Sequence, residues 1–275
     1  MEKGKLYICP TPIGNLEDIT IRTLKILEKV DLIAAEDTRR SIKLLNHYDI
    51  KNKLTSYHEH NEKEKSKLLV EKLLEGKDIA QISDAGMPGI SDPGERLIKK
   101  AIEAGIEIVV LPGATALITA LVGSGLDTRR FFYEGFLPSK KRDRISRLKE
   151  LAGVETTLIL YESPHRIKDT LKDMQDVLGN RKISAMRELT KLYEEAYRSD
   201  IIGLIETFSK TAPKGEFVLI VEGGEEEQEA EKQVDIEWEL EKLIEEGFTK
   251  KSSVKIVAEK YGLAKNDVYK KSLEL

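Results

Sequence analysis

Residues 78–94 read Asp-Ile-Ala-Gln-Ile-Ser-Asp-Ala-Gly-Met-Pro-Gly-Ile-Ser-Asp-Pro-Gly: a short apolar run, Asp78 to Ile82, meets a twelve-residue loop with three glycines and two prolines. A run of that length bounded by turn residues reads as a buried strand. The loop is too rich in glycine and proline to continue either a strand or a helix. Two neighbours repeat the arrangement. Leu6 to Cys9 runs into Thr11-Pro12-Ile13-Gly14-Asn15, and Glu107 to Leu111 runs into Pro112-Gly113-Ala114-Thr115-Ala116. Asp31 to Ala34 and Lys53 to Tyr57 supply two further strands. Amphipathic stretches at Thr20 to Lys29, Thr38 to Asn46, Glu62 to Leu74 and Glu95 to Ala104 separate them, with Gly76 and Gly105 as helix C-caps. Strands alternating with helices predict a parallel sheet, and ligands of such sheets sit beyond the carboxyl ends of the strands. Three glycine turns crowd that one edge.

The second half predicts another α/β unit with mixed strand directions. Its strands are Phe132 to Glu134, Thr156 to Tyr161, Lys182 to Met186 and Phe217 to Glu222, and its helices are Arg142 to Leu151 and His165 to Leu178. Residues 108–126 carry no charge, but Pro112-Gly113 and Gly123-Ser124-Gly125 break the stretch into a buried strand and a buried helix, so no membrane partner is expected. After Gly224 the composition changes. Residues 225–246 hold eleven acids and two lysines, and residues 247–275 hold seven lysines and three acids. The expected organisation is an N-terminal α/β domain over 1–116, a C-terminal α/β domain over 117–224, an acidic linker over 225–235 and a helical module over 236–275. That module has three short helices and a glycine turn, as a helix-turn-helix unit does; packing against a partner is an equal alternative.

Composition excludes several classes. Cys9 is the single cysteine, so there is no intramolecular disulfide and no CxxC motif. The N-terminal Met-Glu-Lys-Gly-Lys-Leu-Tyr-Ile has no long apolar run of the signal-peptide kind, and a reducing, cytoplasmic setting is expected. No GxxxxGK[ST], GxGxxG or GxSxG motif is present. His58 and His60 flank Glu59, but with no further histidine or cysteine nearby they read as the polar rim of a pocket, and no metal is expected.

The motifs LYICPTPIGNLEDITIR (6–22), AAEDTRRS (34–41), SYHEHNE (56–62), SDAGMPGISDPG (83–94), LPGATA (111–116), GFLPSKKRDR (135–144), LYESPHR (160–166) and KGEFVLIVEGG (214–224) resemble the ribosomal RNA small-subunit methyltransferase I family, within the tetrapyrrole-methylase-like class. The resemblance covers nearly all of residues 4–224. It implies two α/β domains with S-adenosylmethionine in the cleft between them. It also implies methyl transfer to a cytidine ribose 2'-hydroxyl in the decoding region of 16S rRNA, free or within the 30S subunit, and a homodimer. Carried onto this sequence, cofactor contacts fall on Pro12, Asp84, Gly86, Met87, Ile90, Thr115, Ala116, Tyr161 and Glu162, with Glu216 as a further candidate.

In-line methyl transfer draws mainly on alignment, helped by a base or by a cation that stabilises a developing alkoxide. Glu36 and Asp37 are candidate bases, and Arg39 and Arg40 candidate alkoxide or phosphate partners; a helix cap at Asp37-Thr38 is the bland reading, and Asp37 with Arg39 the favoured functional pair. Arg187-Glu188 is a second candidate pair, and the base stays open. Residues 139–149 carry six basic residues against Asp143, so Lys140, Lys141, Arg142 and Arg144 join Arg40 as candidate RNA contacts. A tetrapyrrole methylase acting on a small molecule and a non-catalytic RNA-binding assembly factor are the competing readings. The overall charge of −4 is no guide, because residues 1–224 are close to neutral and the acidity lies in 225–246.

Overall fold

The computed structural model describes residues 2–224, 236–261 and 263–273. The chain divides into two compact units, 1–224 and 225–275. The first half of the larger unit is built from β1 (Leu6–Ile8), α1 (Ile21–Lys29), β2 (Leu32–Ala35), α2 (Thr38–His47), β3 (Leu54–Ser56), α3 (Glu62–Leu74), β4 (Ile79–Ile82), α4 (Glu95–Glu103) and β5 (Ile108–Val110). The strands form one sheet in the order β3-β2-β4-β1-β5, every pair parallel. β4 lies at its centre with all four residues buried, as a continuous apolar run requires. Leu6, Ile8, Ala34 and Ile79 pack on one face with Leu69, Leu73 and Leu97, while Ile33, Ala80 and Leu111 pack on the other with Leu27 and Leu45.

A second sheet follows α5 (Ala116–Ser124). It comprises β6 (Phe131–Phe136), β7 (Thr157–Glu162), β8 (Lys182–Arg187), β9 (Glu195–Asp200) and β10 (Phe217–Val221), interleaved with α6 (Lys141–Ala152), α7 (Ile167–Leu178) and α8 (Ile201–Lys210). The order is β6-β7-β10-β8-β9, with β6 and β7 parallel and the remaining pairs antiparallel, so the directions are mixed as expected. β9 and α8 have no counterpart in the sequence-based expectations. β9 is an edge strand, Glu-Ala-Tyr-Arg-Ser-Asp, with no residue fully buried, so it lacks the alternation that marks a strand. The start of α8 is legible in retrospect: Asp200 caps it by accepting from the Gly203 amide at 2.7 Å.

α6 overturns one expectation. Arg144 is buried. Its guanidinium lies 2.6 Å from the Asp173 carboxylate on α7 and donates to the Ser139 carbonyl at 3.1 Å. It therefore ties α6 to α7 and is not an RNA contact, because its position on α6 faces the core alongside Leu148 and Leu151. Lys140, Lys141 and Arg142 remain exposed.

In the smaller unit α9 (Ile236–Glu245), α10 (Lys250–Tyr261) and α11 (Lys265–Ser272) pack around Leu240, Val254, Val257 and Val268. The expected linker at 225–235 lies outside the described residues. Among the described residues no helix is long and apolar enough to cross a membrane.

Candidate active site

The loop after β4 is tied to the turn after β1 by two reciprocal backbone hydrogen bonds. The Thr11 amide donates to Gly86 O at 2.9 Å and the Gly86 amide to Thr11 O at 3.0 Å. Gly86 adopts φ +79°, a conformation that side chains disfavour, and a Cβ there would stand 3.2 Å from Ile13 Cγ2. At the far end of the loop the Gln81 side-chain amide donates to Pro93 O at 2.7 Å. A Cβ on Gly94 would lie 2.9 Å from the Gly89 backbone nitrogen and 2.5 Å from the Gln81 side-chain nitrogen, so glycine lets the loop close back onto β4 without displacing its own backbone.

These loops and the second sheet enclose a cavity of about 320 Å³. Gly86, Met87, Ile90, Thr115 and Ala116 line it from the first half, and Tyr161, Glu162, Glu188 and Glu216 from the second, all of them anticipated in the sequence. Tyr161 sits edge-to-face with Tyr133 and Phe136, at 5.4 and 5.6 Å between ring centroids, and the Tyr133 hydroxyl meets Ser91 Oγ at 2.6 Å across the cleft. Glu162 contributes to the wall, but its carboxylate turns inward. It accepts from the Ser163 amide at 2.8 Å and from the Thr170 hydroxyl at 2.6 Å, which commits it to the start of α7.

A neighbouring cavity of about 430 Å³ is lined by Pro12, Arg40, Lys43, Asp84, Lys191 and Glu216, among others. Arg40 pairs with Asp84 at 3.1 Å. Asp37 and Arg39 line neither cavity. The Asp37 carboxylate caps α2, accepting from the Arg39 amide at 2.8 Å and from the Arg39 guanidinium at 3.1 Å, which holds its pKa below the ordinary value. The capping role weighed against catalysis for this pair is the one its geometry supports.

Two residues absent from the sequence-based candidates stand at the centre of the site. Lys191 lines both cavities, and its ammonium is held at 2.9 Å by both Glu188 and Glu216. Burial alone would lower its pKa, but the two carboxylates outweigh that and raise it, so Lys191 is a fixed cation. Burial likewise works against ionised Glu188, but the Glu216 amide and Lys191 prevail and hold its carboxyl below the usual value. Asp92 lies in the SDPG half of the long loop and lines the 320 Å³ cavity. Burial first, and then the charge of Glu36, push its carboxyl up to about 7, while a hydrogen bond from Ser83 works the other way. Glu36 is itself raised by burial, although its carboxylate accepts from the Asp84 amide at 3.3 Å. Both signals were present in the sequence, a lysine three residues after Glu188 and an acid inside the glycine loop. Neither spacing says that the chain folds them toward one cavity.

His58 Nε2 lies 3.1 Å from the Asn61 side-chain amide. Among the described residues no group of three or more His, Cys, Asp or Glu side chains could hold a metal ion.

An all-parallel sheet whose glycine loops face a second, mixed sheet across one cavity is the arrangement of the methyltransferase class to which the sequence profile "Tetrapyrrole (Corrin/Porphyrin) Methylases" matches residues 5–205. Among solved structures, diphthine synthase has this fold, with a TM-score of 0.63 over 80% of this chain and 90% of that one at 13% identity. Whole-chain relatives narrow the assignment. "Ribosomal RNA small subunit methyltransferase I" of Halalkalibacterium halodurans is 50% identical over 275 residues, 98% of this chain and 94% of the relative; the protein of the same name from Haemophilus influenzae is 50% identical over 269 residues, 97% and 95%. The chain belongs to the ribosomal RNA small subunit methyltransferase I family.

Proposed function

We propose that the chain transfers the methyl group of S-adenosylmethionine to the ribose 2'-hydroxyl of a cytidine in the decoding region of 16S rRNA. The observation that carries this reading is Lys191, a fixed cation at the junction of an amphipathic cavity and a second cavity bordered by Arg40 and Lys43. The 320 Å³ cavity fits the cofactor: Ile13, Met87, Ile90 and Tyr161 offer an apolar wall for a nucleoside, and Ser91 and Thr115 offer hydroxyls beside it. When bound there, S-adenosylmethionine supplies the electrophilic methyl group. Lys191 places its ammonium against the developing charge on the ribose oxygen, Glu188 and Glu216 hold that ammonium in position, and Asp92 accepts the hydroxyl proton. Arg40 and Lys43 meet the phosphates flanking the target nucleotide.

Tritiated methyl transfer to 30S subunits, to deproteinised 16S rRNA and to a porphyrinogen, followed by nucleotide mapping, tests the assignment. Label confined to a cytidine ribose is expected. Label in the porphyrinogen alone, or none, favours the small-molecule methylase or the non-catalytic assembly factor.

Asp92→Asn is expected to lower kcat roughly a hundredfold and to remove the limb of the pH–rate profile near 7. It carries a stability signature of known sign. The folded-state pKa lies above the ordinary value of 3.8, so the folded protein binds the extra proton. Asp92 therefore contributes stability that is lost as pH rises from about 4 through 7, a contribution that the asparagine variant lacks. Thermal melts of both proteins across that range check the sign.

The exposed Lys140, Lys141 and Arg142 at the start of α6 supply the electrostatic contact with RNA. Changing all three to alanine should weaken RNA binding and reduce the salt slope by roughly 0.7–0.9 for each phosphate that is no longer neutralised, with cofactor affinity unchanged. An unchanged slope would remove this segment from the interface.

A homodimer completes the proposal. An apolar groove bordered by Met87, Ile90, Ile98, Ile102 and Val110 runs beside β5, the exposed edge of the parallel sheet, and a second copy of the chain covers it. Ile102→Asp with Val110→Asp should sediment as a monomer where the wild type sediments as a dimer; a monomeric wild type overturns the dimer.

A further inference from the structure

The segment joining β8 to β9 carries Lys191, and the next two residues are the part of the molecule that the chemistry above leaves unused. Among the described residues Leu192 is the most exposed large apolar side chain, at 87%, and Tyr193 beside it is 68% exposed. A scattered surface leucine needs no explanation. Two large apolar residues in succession, immediately after the cation at the junction of both cavities, do.

The segment that presents them is braced rather than loose. Glu188 and Thr190 both adopt left-handed backbone conformations, φ +50° and +65°, which side chains tolerate only where the surroundings enforce them. Here the enforcing contacts are visible. The Asn15 amide donates to the Thr190 hydroxyl at 3.0 Å, which fastens the segment to the turn after β1. The Lys191 amide donates to Glu188 O at 3.0 Å, the Glu194 amide to Lys191 O at 3.1 Å, and the Thr190 amide to the Glu194 carboxylate at 2.6 Å. With the two ion pairs of Lys191, these bonds hold the backbone on both sides of Leu192 and Tyr193 while their side chains face solvent. An apolar pair held rigidly in water suits a partner that presents apolar faces at that point.

Resting on the assignment of an RNA substrate above, we propose that Leu192 and Tyr193 form an RNA-contacting wedge. Leu192 enters the base stack beside the target cytidine, and Tyr193 stacks on the base it uncovers. A stacked nucleotide cannot bring its ribose to a recessed cavity while its base stays among its neighbours. Proteins that act on recessed nucleotides meet the unstacking cost with inserted apolar side chains and aromatic platforms. Leu192 and Tyr193 directly follow Lys191 on the same braced segment, so a base stacked on Tyr193 lies beside the stretch of chain that carries the cation. The pair thus sets which nucleotide is presented, and takes no part in methyl transfer itself.

The test uses the full chain with Leu192→Ser, Tyr193→Ser and Tyr193→Phe. Each serine variant is expected to lower kcat/KM for 16S rRNA roughly tenfold, with the S-adenosylmethionine dissociation constant unchanged, while Tyr193→Phe stays within about twofold of wild type because its ring still stacks. In a synthetic decoding-region fragment with 2-aminopurine beside the target cytidine, wild type should change the fluorescence on binding, and the serine variants should not. Serine variants with wild-type kcat/KM and a wild-type fluorescence change overturn the wedge. So does loss of self-association in the serine variants with an unchanged 2-aminopurine response, which marks the pair as a protein contact. The wild-type arm tests the underlying assignment separately: wild-type enzyme that methylates no RNA sinks both, whereas active wild type with unaffected variants sinks the wedge alone.

Discussion

Replacing Lys191 by methionine is expected to cut kcat for methyl transfer by roughly 10²- to 10³-fold, the loss typical of removing a preorganised group from a developing oxyanion. The size follows from the setting. The ammonium is fixed by two carboxylates at 2.9 Å before substrate arrives, so no reorganisation is needed during reaction. Methionine matches the length and apolar stem of lysine but carries no charge, and it leaves Glu188 and Glu216 facing each other without their cation. Arginine keeps the charge but spreads it over a planar fork that the two carboxylates do not hold in the same place, so Lys191→Arg should recover only part of the rate. Single-turnover rates with saturating RNA and cofactor check the expectation. A methionine variant within fivefold of wild type would show that the cation has no part in the chemistry. Equal losses in cofactor affinity and in rate would assign Lys191 to cofactor binding instead.

Arg144→Met should destabilise the protein by about 3–5 kcal/mol, the effect of breaking a buried ion pair from one side. Arg144 and Asp173 are both buried, and the guanidinium reaches the carboxylate through two nitrogens, at 2.7 and 2.6 Å. Removing the arginine leaves the Asp173 carboxylate inside the α6–α7 contact, with Lys141 at 3.5 Å as its remaining cation. The double variant Arg144→Met with Asp173→Leu removes both charges and should recover most of the loss, because the attraction within such a pair does little more than offset the desolvation of its members. Urea denaturation of the three variants separates these terms. A loss under 1 kcal/mol for the single variant would mean that Asp173 escapes to solvent when its partner is removed.

Arg144 also shows where reading the sequence reaches its limit. Residues 139–149 are basic nearly throughout, and charge alone groups Arg144 with Lys140, Lys141 and Arg142. On α6 Arg144 shares a buried stripe with Leu148 and Leu151, four and seven residues on, whereas Arg142 lies off that stripe and Lys141, although three residues from Arg144, sits in the first turn and stays exposed. The same holds for Asp37 and Arg39. Their sequence context favoured catalysis over capping, and the hydrogen bond from the Arg39 amide to Asp37, with neither residue lining a cavity, points the other way.

The strands of the parallel sheet and the three glycine loops at its edge were legible because apolar runs, glycine and proline act locally. A buried strand ends where its turn residues begin, and the backbone conformations of Gly86 and Gly94 leave little choice of residue. Nearly all the expected cavity-lining residues sit beside such turns for that reason. Family membership was legible in the same motifs. Lys191 and Asp92 were not, because what makes them candidates is environment: a cation becomes fixed only when Glu188 and Glu216 converge on it from the ends of two different strands, and a carboxyl rises to about 7 only when burial and Glu36 meet around it. The sequence by itself determined the parallel sheet, four strands of the second sheet and the turns between them through short-range patterning, and its motifs carried the family resemblance that implied the chemistry. The tertiary structure alone decided which charges face the cavity, which are buried and which way their proton equilibria shift, because desolvation and electrostatic coupling act between residues that are distant in the chain and adjacent only in space.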